Sequence, residues 1–330
     1  MRFSVLDQSP IGEGTTGADA LANTLDLARL ADELGYHRYW VAEHHGTPML
    51  AGAAPEILIA AIAGVTERLR VGSGGVMLPH YSPLKVAEVF SILCGLHPGR
   101  IDLGIGRAPG TDPHTMFALQ RDRRQGAPDD FPEQLAELLA YLEDDFPAGH
   151  PFARLAALPG GPDRPEVWLL GSSGQSALWA SQLGLPYSFA DFINPAGAEL
   201  AAAYRERFVP SRRRSEPYLA VAVSVVCAET DEEAERIAAS GRMSFTLLRR
   251  GRLVPVPSPE QAAEFFEREP EAFARTGRRS IVGSPETVRA GLAAVAAEYA
   301  ADEVTVVTIT HDHQARCRSY ELVAEACSAG

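Results

Sequence analysis

Short apolar runs rich in β-branched and aromatic residues alternate along this chain with stretches whose apolar residues recur at helical spacing. Eight of these runs predict β-strands. The predicted strands are residues 3–7, 39–42, 69–77, 101–105, 167–170, 187–190, 218–227 and 304–310. Between the first two, Leu27, Leu30, Ala31 and Leu34 share one helical face, which ends at Gly35, a predicted helix C-cap. The repeated strand–helix order predicts an α/β fold.

The predicted sheet is parallel, because runs such as residues 219–223 are apolar on both faces. Helices on both sides of a parallel sheet favour a (β/α)8 barrel, and a doubly wound sheet is the alternative. We expect a single domain over residues 1–330. The connections 106–166 and 228–302 are too long for simple turns, so insertions are expected after strands 4 and 7. Residues 241–280 are a candidate mobile lid, and extra surface helices are the alternative.

The predicted helix at residues 55–66 is apolar on every side. An outer helix of a barrel normally has one polar face toward solvent, so a second surface is expected to cover this helix. A homodimer is the simplest explanation. Burial beneath one of the long insertions is the alternative.

The composition excludes several classes of protein. The 330 residues are 46% hydrophobic and carry a formal net charge of −13, which argues against nucleic-acid binding. Glycine, serine and proline interrupt the longest uncharged stretch, residues 167–190, so no membrane span is predicted. The four cysteines are far apart and form no CxxC motif, which is typical of reduced thiols. A cytoplasmic enzyme is therefore expected.

Candidate chemistry appears where the predicted strands end. Glu43-His44-His45 directly follows the second strand, and ligands gather at the carboxyl ends of parallel strands. The third strand contains Gly72-Ser73-Gly74-Gly75, where missing side chains let a flat ligand or another backbone approach. The alternative for these glycines is a β-bulge.

Two further strand ends suit an anion. After the fourth strand, Arg107 stands among small residues in the run 104–110, where a guanidinium can reach a phosphate or carboxylate. After the fifth, Gly171-Ser172-Ser173-Gly174-Gln175-Ser176 opens a helix, and such a helix start offers unpaired amides and hydroxyls. A surface salt bridge is the alternative for Arg107, and simple N-capping is the alternative for the serines.

A metal-dependent barrel hydrolase using His44, His45, His311 and Asp312 is a competing hypothesis. The residue inventory argues against it, because no histidine lies between His150 and His311. The only lysine, Lys85, lies in a predicted helix, where it cannot bridge two metal ions. We therefore expect no metal, and we interpret His311 and His313 as a polar strand end or helix start.

Taken in order, these motifs resemble those of the bacterial luciferase-like flavin-dependent monooxygenases. The resemblance covers residues 3–325 and includes the segments 43–45, 71–79, 104–107, 170–173 and 281–286. It implies a (β/α)8 barrel, usually dimeric, that binds reduced FMN. A separate NAD(P)H:flavin reductase supplies that cofactor, and some members use a deazaflavin coenzyme instead.

The resemblance also implies roles for particular residues. Arg107, Ser173 and Ser176 match phosphate-binding positions, and Ser172 stands where the luciferases carry an acidic residue. Gly74 and Gly75 match a non-prolyl cis peptide beneath the flavin ring. His44 matches the catalytic histidine, which exchanges hydrogen bonds or protons with the oxygen adduct of the flavin, a task that suits a pKa near neutrality.

The implied reaction begins with O2 uptake by reduced FMN, which gives a C4a-hydroperoxide that oxygenates a small organic substrate. Hydroxylation, epoxidation or Baeyer-Villiger oxidation is expected. The arginine-rich composition is compatible with a tailoring enzyme that acts on a secondary metabolite. Two other functions stay open. They are a deazaflavin-dependent dehydrogenase on the same barrel and a non-catalytic flavin-binding protein.

Overall fold

The computed structural model describes residues 1–107, 112–120, 123–124, 129–155, 157–274 and 278–328. Among these residues the strands are β1 (Arg2–Asp7), β2 (Arg38–Val41), β3 (Arg70–Met77), β4 (Ile101–Gly106), β5 (Glu166–Gly171), β6 (Tyr187–Ala190), β7 (Leu219–Cys227), β8 (Ser280–Gly283) and β9 (Glu303–Val307). The helices are α1 (Gly17–Glu33), α2 (Pro55–Ala63), α3 (Pro83–Leu96), α4 (Pro113–Leu119), α5 (Phe131–Glu143), α6 (Gly174–Gln182), α7 (Ala198–Glu206), α8 (Asp231–Arg249), α9 (Pro259–Arg268), α10 (Pro270–Ala274), α11 (Pro285–Tyr299) and α12 (His313–Ser328).

Eight parallel strands close into a barrel, which confirms the predicted (β/α)8 fold. Strands β1 to β7 pair in chain order, and β9 closes the ring by pairing with both β7 and β1. Strand β8 is additional to the eight strands that the sequence predicts. It pairs only with the last four residues of β7, from Ser224↔Ser280 to Cys227↔Gly283, so it extends one wall of the barrel. The apolar β7 carries this additional partner at its carboxyl end.

Local sequence signals place the helices as expected. Helix α1 begins with a capping box in which Thr16 and Asp19 exchange side-chain and backbone hydrogen bonds. Its inner face buries Leu27, Ala28 and Ala31 against the barrel. The chain then turns at Gly35, whose φ of 80° is in the left-handed region that glycine adopts without strain. This turn delivers the chain into β2.

Helix α2 turns part of its apolar surface outward, in agreement with the sequence pattern. Ile57 is 67% exposed, and on the neighbouring α3 the side chains of Ile92 and Leu96 are also exposed. Helix α3 also contains Lys85, as predicted. Exposed apolar side chains on these two neighbouring helices agree with the expectation that a second surface covers them. A homodimer stays a prediction.

The two long connections contain additional helices. The first, after β4, includes α4 and α5, and α5 packs against α3. The second, after β7, includes α8 to α11 and β8. The candidate lid at 241–280 begins within the long α8, continues through α9 and α10, and contains residues 275–277, which lie outside the described part of the chain. Movement of this segment stays a prediction.

Among the residues that the structure describes, no helix is both long and apolar enough to cross a bilayer. The four cysteines are free thiols, and Cys94, Cys227 and Cys317 are buried. Burial raises the pKa of the Cys317 thiol to about 11, so this sulfur stays protonated at neutral pH. These observations agree with the interpretation of the cysteines as reduced thiols.

Candidate functional site

A cavity of about 570 Å³ lies at the carboxyl ends of the barrel strands. Its wall includes Gln8 after β1, His44 after β2, Phe192 after β6 and Ile309 after β9. Helix α8 and the residues that lead into β8 close the outer side. The volume is in the range of small-molecule sites, and this end of a barrel is where such sites are found.

His44 stands in the cavity wall and is the most unusual titratable group there. Its backbone N–H donates to the Gly52 carbonyl at 2.8 Å, which fixes the position of the residue. Its Nδ1 is buried and has no hydrogen-bond partner among the described residues. Burial, together with the smaller effect of the neighbouring His45, lowers the pKa of His44 to about 4. The imidazole is therefore neutral at physiological pH, which differs from the near-neutral pKa expected from sequence.

Glu43 holds the segment that presents His44. Its carboxylate is buried, and it accepts hydrogen bonds from His45 Nε2 at 2.8 Å, from the Tyr81 hydroxyl at 3.0 Å and from the Met77 backbone N–H at 3.0 Å. His45 follows β2, Met77 is the last residue of β3, and Tyr81 lies in the β3–α3 connection. Glu43 thereby ties the His44 loop to the neighbouring strand end.

We expect Glu43→Gln to lower the free energy of unfolding by about 1–3 kcal/mol, because the amide replaces an acceptor with a donor that meets the buried Met77 N–H or Tyr81 hydroxyl. Chemical denaturation of the full chain measures this loss. Glu67→Gln, at an exposed position, is the matched control and should leave the unfolding midpoint nearly unchanged. Equal midpoints for both variants would contradict the bracing role of Glu43.

The peptide bond between Gly74 and Gly75 is cis, as the resemblance implied. A β-bulge also lies here, because the β3–β4 register shifts between Gly74 and Val76. A side chain at Gly74 would meet Leu6, and one at Gly75 would meet the backbone of Gly104. Close packing and the bulge thus account for the two glycines structurally. Their contact with a flavin ring stays a prediction.

Arg107 lies at the end of β4 and is partly exposed. Its Nη2 donates to both carboxylate oxygens of Asp129, at 2.8 and 3.0 Å, and its guanidinium lies 5.5 Å from the centroid of the Trp179 ring. This ion pair is the surface salt bridge that the sequence analysis gave as the alternative to an anion site at Arg107. Because the pair is exposed, it contributes little to stability, and a stronger anion can replace Asp129. Ala108, Pro109 and Gly110 lie outside the described residues.

The three serines at the start of α6 differ in their surroundings. Ser173 is the N-cap and accepts from the Ser176 N–H at 3.4 Å. Ser176 is buried, and its hydroxyl lies 2.9 Å from the Tyr187 hydroxyl and donates to the Ser173 carbonyl. Ser172 contributes its carbonyl to the Asn194 side chain. Ser173 is the exposed hydroxyl of the three, whereas Ser176 supports the helix start from inside.

Strand pairing brings the β4 and β5 ends together. Ile105 pairs with Leu169, so Arg107 is level with Gly171, and Trp179 of α6 lies beneath the Arg107 guanidinium.

Of the predicted site residues, His44 lines the cavity, while Gly74, Gly75, Arg107, Ser172, Ser173 and Ser176 do not. Phe245 and Arg278, which also line the cavity, lie within the candidate lid 241–280, but the sequence analysis did not single them out as site residues. No motif marks these two residues, because they meet only after α8 folds over the barrel.

The histidines proposed for a metal hydrolase do not converge. His311 Nε2 lies 3.1 Å from the Glu13 carbonyl, and Asp312 caps α12 by accepting from the Ala315 N–H. Within the described ranges, the group whose atoms have metal-ligand spacing is Asp26, His313 and Cys317, between α1 and α12. The interpretation of His313 as a helix start is confirmed, since α12 begins there.

Comparison with known proteins establishes the family. The family model described as luciferase-like monooxygenase matches residues 1–303. The chain belongs to the luciferase-like monooxygenase family. This confirms the resemblance found in the motifs and supports an oxidoreductase. The fold also agrees, since the crystal structure of apo-MsnO8 matches with a TM-score of 0.92 at 44% identity and covers 100% of this chain and 98% of that one.

Two curated relatives of this luciferase-like chain are informative. A protein named luciferase-like monooxygenase, from Escherichia coli (strain K12), is 44% identical over 98% of this chain and 96% of its own length. A protein named N-acetyl-S-alkylcysteine monooxygenase, from Bacillus subtilis (strain 168), is 40% identical over 100% of this chain and 99% of its own length. Both similarities extend over the whole barrel, including the His44 loop and α8.

Proposed function

We propose that this protein is the oxygenase component of a two-component flavin-dependent monooxygenase. It uses reduced FMN, delivered by a separate NAD(P)H:flavin reductase, to hydroxylate, epoxidise or carry out Baeyer-Villiger oxidation of a small organic substrate. The observation that carries this proposal is the neutral His44 in the wall of a largely apolar cavity, at the same barrel mouth as the Arg107 and Ser173 donors. The family of the chain supports the same reaction class.

The donors at the β4 and β5 ends fit the phosphate of FMN. Arg107 supplies a guanidinium whose present partner is an exposed carboxylate, and Ser173 supplies an exposed hydroxyl at the first turn of a nine-residue helix. Position 172 is a serine here, whereas the luciferases carry an acidic residue there, so this helix start has one negative charge fewer. Helix N–H groups, a hydroxyl and a guanidinium are the groups that bind phosphate monoesters in proteins.

Bound reduced FMN supplies the two electrons with which one oxygen atom of O2 enters the substrate and the other leaves as water. The protein's own contribution is to position and shelter. Apolar side chains from α8 and the strand ends exclude water from the cavity. Neutral His44 offers one ring nitrogen as a donor and the other as an acceptor, so it can orient an oxygen-bearing group without adding a charge.

We further propose that the protein is a homodimer whose subunits meet on the apolar surface made by Ile57, Ile92 and Leu96. These side chains are large and exposed, and they lie on α2 and α3, two helices that contact each other, so covering them removes apolar area from water. Light scattering of the purified chain measures the oligomeric state. An Ile57→Asp variant should shift the protein toward the monomer.

We expect Arg107→Ala to weaken reduced FMN binding about tenfold to a hundredfold and reduced riboflavin binding less than threefold, because only FMN carries the phosphate. Anaerobic fluorescence titration measures both affinities. Arg212→Ala is the matched control, since Arg212 is exposed and pairs with Asp145 elsewhere on the surface. Equal losses for the two flavins would remove Arg107 from the phosphate site.

The decisive experiment compares reduced FMN with reduced deazaflavin and then supplies O2. The oxygenase proposal expects tighter binding of reduced FMN, and oxygenated product from a thioether when reductase and NADH are present. N-acetyl-S-benzyl-L-cysteine is the first substrate to test, because a relative with 40% identity is named for this compound class. Tight deazaflavin binding with oxidation of an alcohol, and no oxygen incorporation, would favour a dehydrogenase instead.

A further inference from the structure

One arginine in the cavity wall has no counter-ion among the residues that the structure describes. Three arginines line the cavity, and two of them are paired: Arg242 with Glu235, and Arg279 with Glu298 at 3.0 Å. The third, Arg278, makes no ion pair or hydrogen bond with any other residue in the described part of the chain. The cavity therefore holds a guanidinium whose charge no described residue balances through an ion pair.

The surroundings of Arg278 favour a bound anion. Its Cζ lies 3.5 Å from the centroid of the Phe245 ring of α8, so an aromatic face holds the guanidinium in place. Burial lowers the pKa of Arg278 to about 10, and the positive charge of Arg249 adds to this effect. The side chain is still a cation at neutral pH. A half-buried cation next to a second cation gains most from a negatively charged partner.

The rest of the wall is mainly apolar and has little competing negative charge. The carboxylate in the wall, Asp112, is already used at the start of α4, where it accepts from the His114 and Thr115 N–H groups. The apolar side chains that line the remaining space include Met49, Phe192, Val226, Leu248, Leu253 and Ile309. The cavity wall thus combines the Arg278 guanidinium and His44 with mainly apolar side chains.

We propose that the cavity binds a substrate with a single carboxylate, which pairs with Arg278, and with an apolar body that extends toward His44. This inference rests on the proposed function, since it describes the substrate of that oxygenase. Arg278 selects the charged group, and the apolar wall selects the rest of the molecule. A planar guanidinium accommodates a carboxylate through two parallel N–H···O bonds, which also fixes the direction in which the body points.

The test compares acids with their neutral esters. Isothermal titration of the full chain with N-acetyl-S-benzyl-L-cysteine, 4-phenylbutyrate and octanoate, each beside its methyl ester, measures what the charge contributes. We expect each acid to bind at least tenfold tighter than its ester. Arg278→Gln should weaken the acids about tenfold to a hundredfold, leave the esters nearly unchanged and so remove the preference. Arg278→Lys should restore part of it.

Arg242→Gln is the matched control, because Arg242 lines the same cavity but is neutralised by Glu235, and its loss should change acid binding less than threefold. Thermal unfolding of each variant confirms that it is folded. Equal binding of acids and esters by the wild type, or no binding of any acid while reduced FMN still binds, overturns the proposal. A selective loss of reduced FMN over reduced riboflavin in Arg278→Gln also overturns it, because Arg278 then serves the cofactor phosphate.

These titrations, combined with assays of oxygenated product, distinguish failure of this inference from failure of the proposed function. A protein that binds the acids through Arg278, yet forms no oxygenated product from reduced FMN and O2, would refute the oxygenase proposal and leave the carboxylate site standing. Oxygenation of an ester as readily as its acid, with unchanged kinetics in Arg278→Gln, would support the oxygenase and refute the carboxylate site.

Discussion

Replacing Arg38 by methionine should lower the free energy of unfolding by about 3–5 kcal/mol, the range for removing one partner of a buried charge cluster. Arg38 begins β2 and is buried. Its Nη1 contacts Asp102 at 2.6 Å and Glu166 at 2.9 Å, and its Nε contacts Glu303 at 3.2 Å. Methionine matches the length of the aliphatic stem but carries no charge. Two buried carboxylates would then lose their shared cation.

The position of this cluster explains the size of the effect. Arg38, Glu166 and Glu303 lie at the starts of β2, β5 and β9, so one guanidinium joins strands on different sides of the barrel. Burial alone lowers the pKa of Arg38, but the three carboxylates outweigh it and raise the pKa above its ordinary value. The guanidinium also lies 4.7 Å from the centroid of the Trp168 ring. The cluster closes the barrel end opposite the cavity.

Denaturant unfolding measures the Arg38→Met effect. Arg268→Met is the matched control, because Arg268 pairs with Glu264 on the exposed surface of α9 and its loss should barely move the midpoint. Reduced FMN affinity of the folded Arg38→Met protein should stay close to that of the wild type, since the cluster and the proposed phosphate site lie at opposite barrel ends. A loss below about 1 kcal/mol would show that Arg70, which also contacts Asp102, compensates for the missing charge.

The barrel was predictable from sequence because its strands are buried on both faces. Such strands appear as short apolar runs, and the structure contains a strand at each of the eight predicted places. The exception is β8, where Ser280–Gly283 is only four residues long and pairs with the end of β7. The other four-residue strands, β2 and β6, contain aromatic residues of high β-propensity, whereas β8 has only Ile281 and Val282 as apolar residues, so its existence depends on a partner that is distant in sequence.

The site was predictable only where chemistry directly follows a strand. His44 comes two positions after an apolar run, so its place at the barrel mouth follows from the sequence. The partners and the burial of the site's side chains do not follow from the sequence. Arg107 pairs with Asp129, 22 positions later, and Ser176 is buried by Tyr187 of the next strand. That Arg278 has no counter-ion within the described ranges depends on where acidic residues of other elements lie in the folded chain, and no local pattern records this.

His44→Ala should reduce coupled oxygenation by about 10²–10⁴-fold, the usual range for removing a residue that handles a proton or hydrogen bond at the reacting centre. The reason is the position of the imidazole in the cavity wall, with a buried Nδ1 that has no partner among the described residues. Product formation per NADH consumed is the measurement. We expect NADH consumption to continue in the variant while hydrogen peroxide replaces the oxygenated product.

The lowered pKa of His44 gives this prediction a pH signature. A histidine with a folded-state pKa of about 4 is neutral from about pH 5 upward, whereas in the unfolded chain it titrates near 6.5. Turnover should therefore show no inflection from this group between pH 5.5 and 8, and the His44→Ala loss should be constant over that window. Stability should fall as pH decreases from about 6.5 toward 4, because protonation then favours the unfolded state, and His44→Ala should remove that part of the slope.

Two variants separate chemistry from structure at this position. His44→Gln keeps an uncharged donor and acceptor, so it should retain more oxygenation than His44→Ala if the neutral imidazole acts through hydrogen bonds. His45→Ala tests the neighbouring ring, whose Nε2 contacts Glu43, and it should affect stability more than coupling. A loss of coupling below threefold in His44→Ala would exclude His44 from the reaction. A clear inflection near pH 6.5 that disappears in His44→Ala would instead show that the bound state restores the ordinary pKa of the imidazole, and proton transfer would then replace hydrogen bonding as its role.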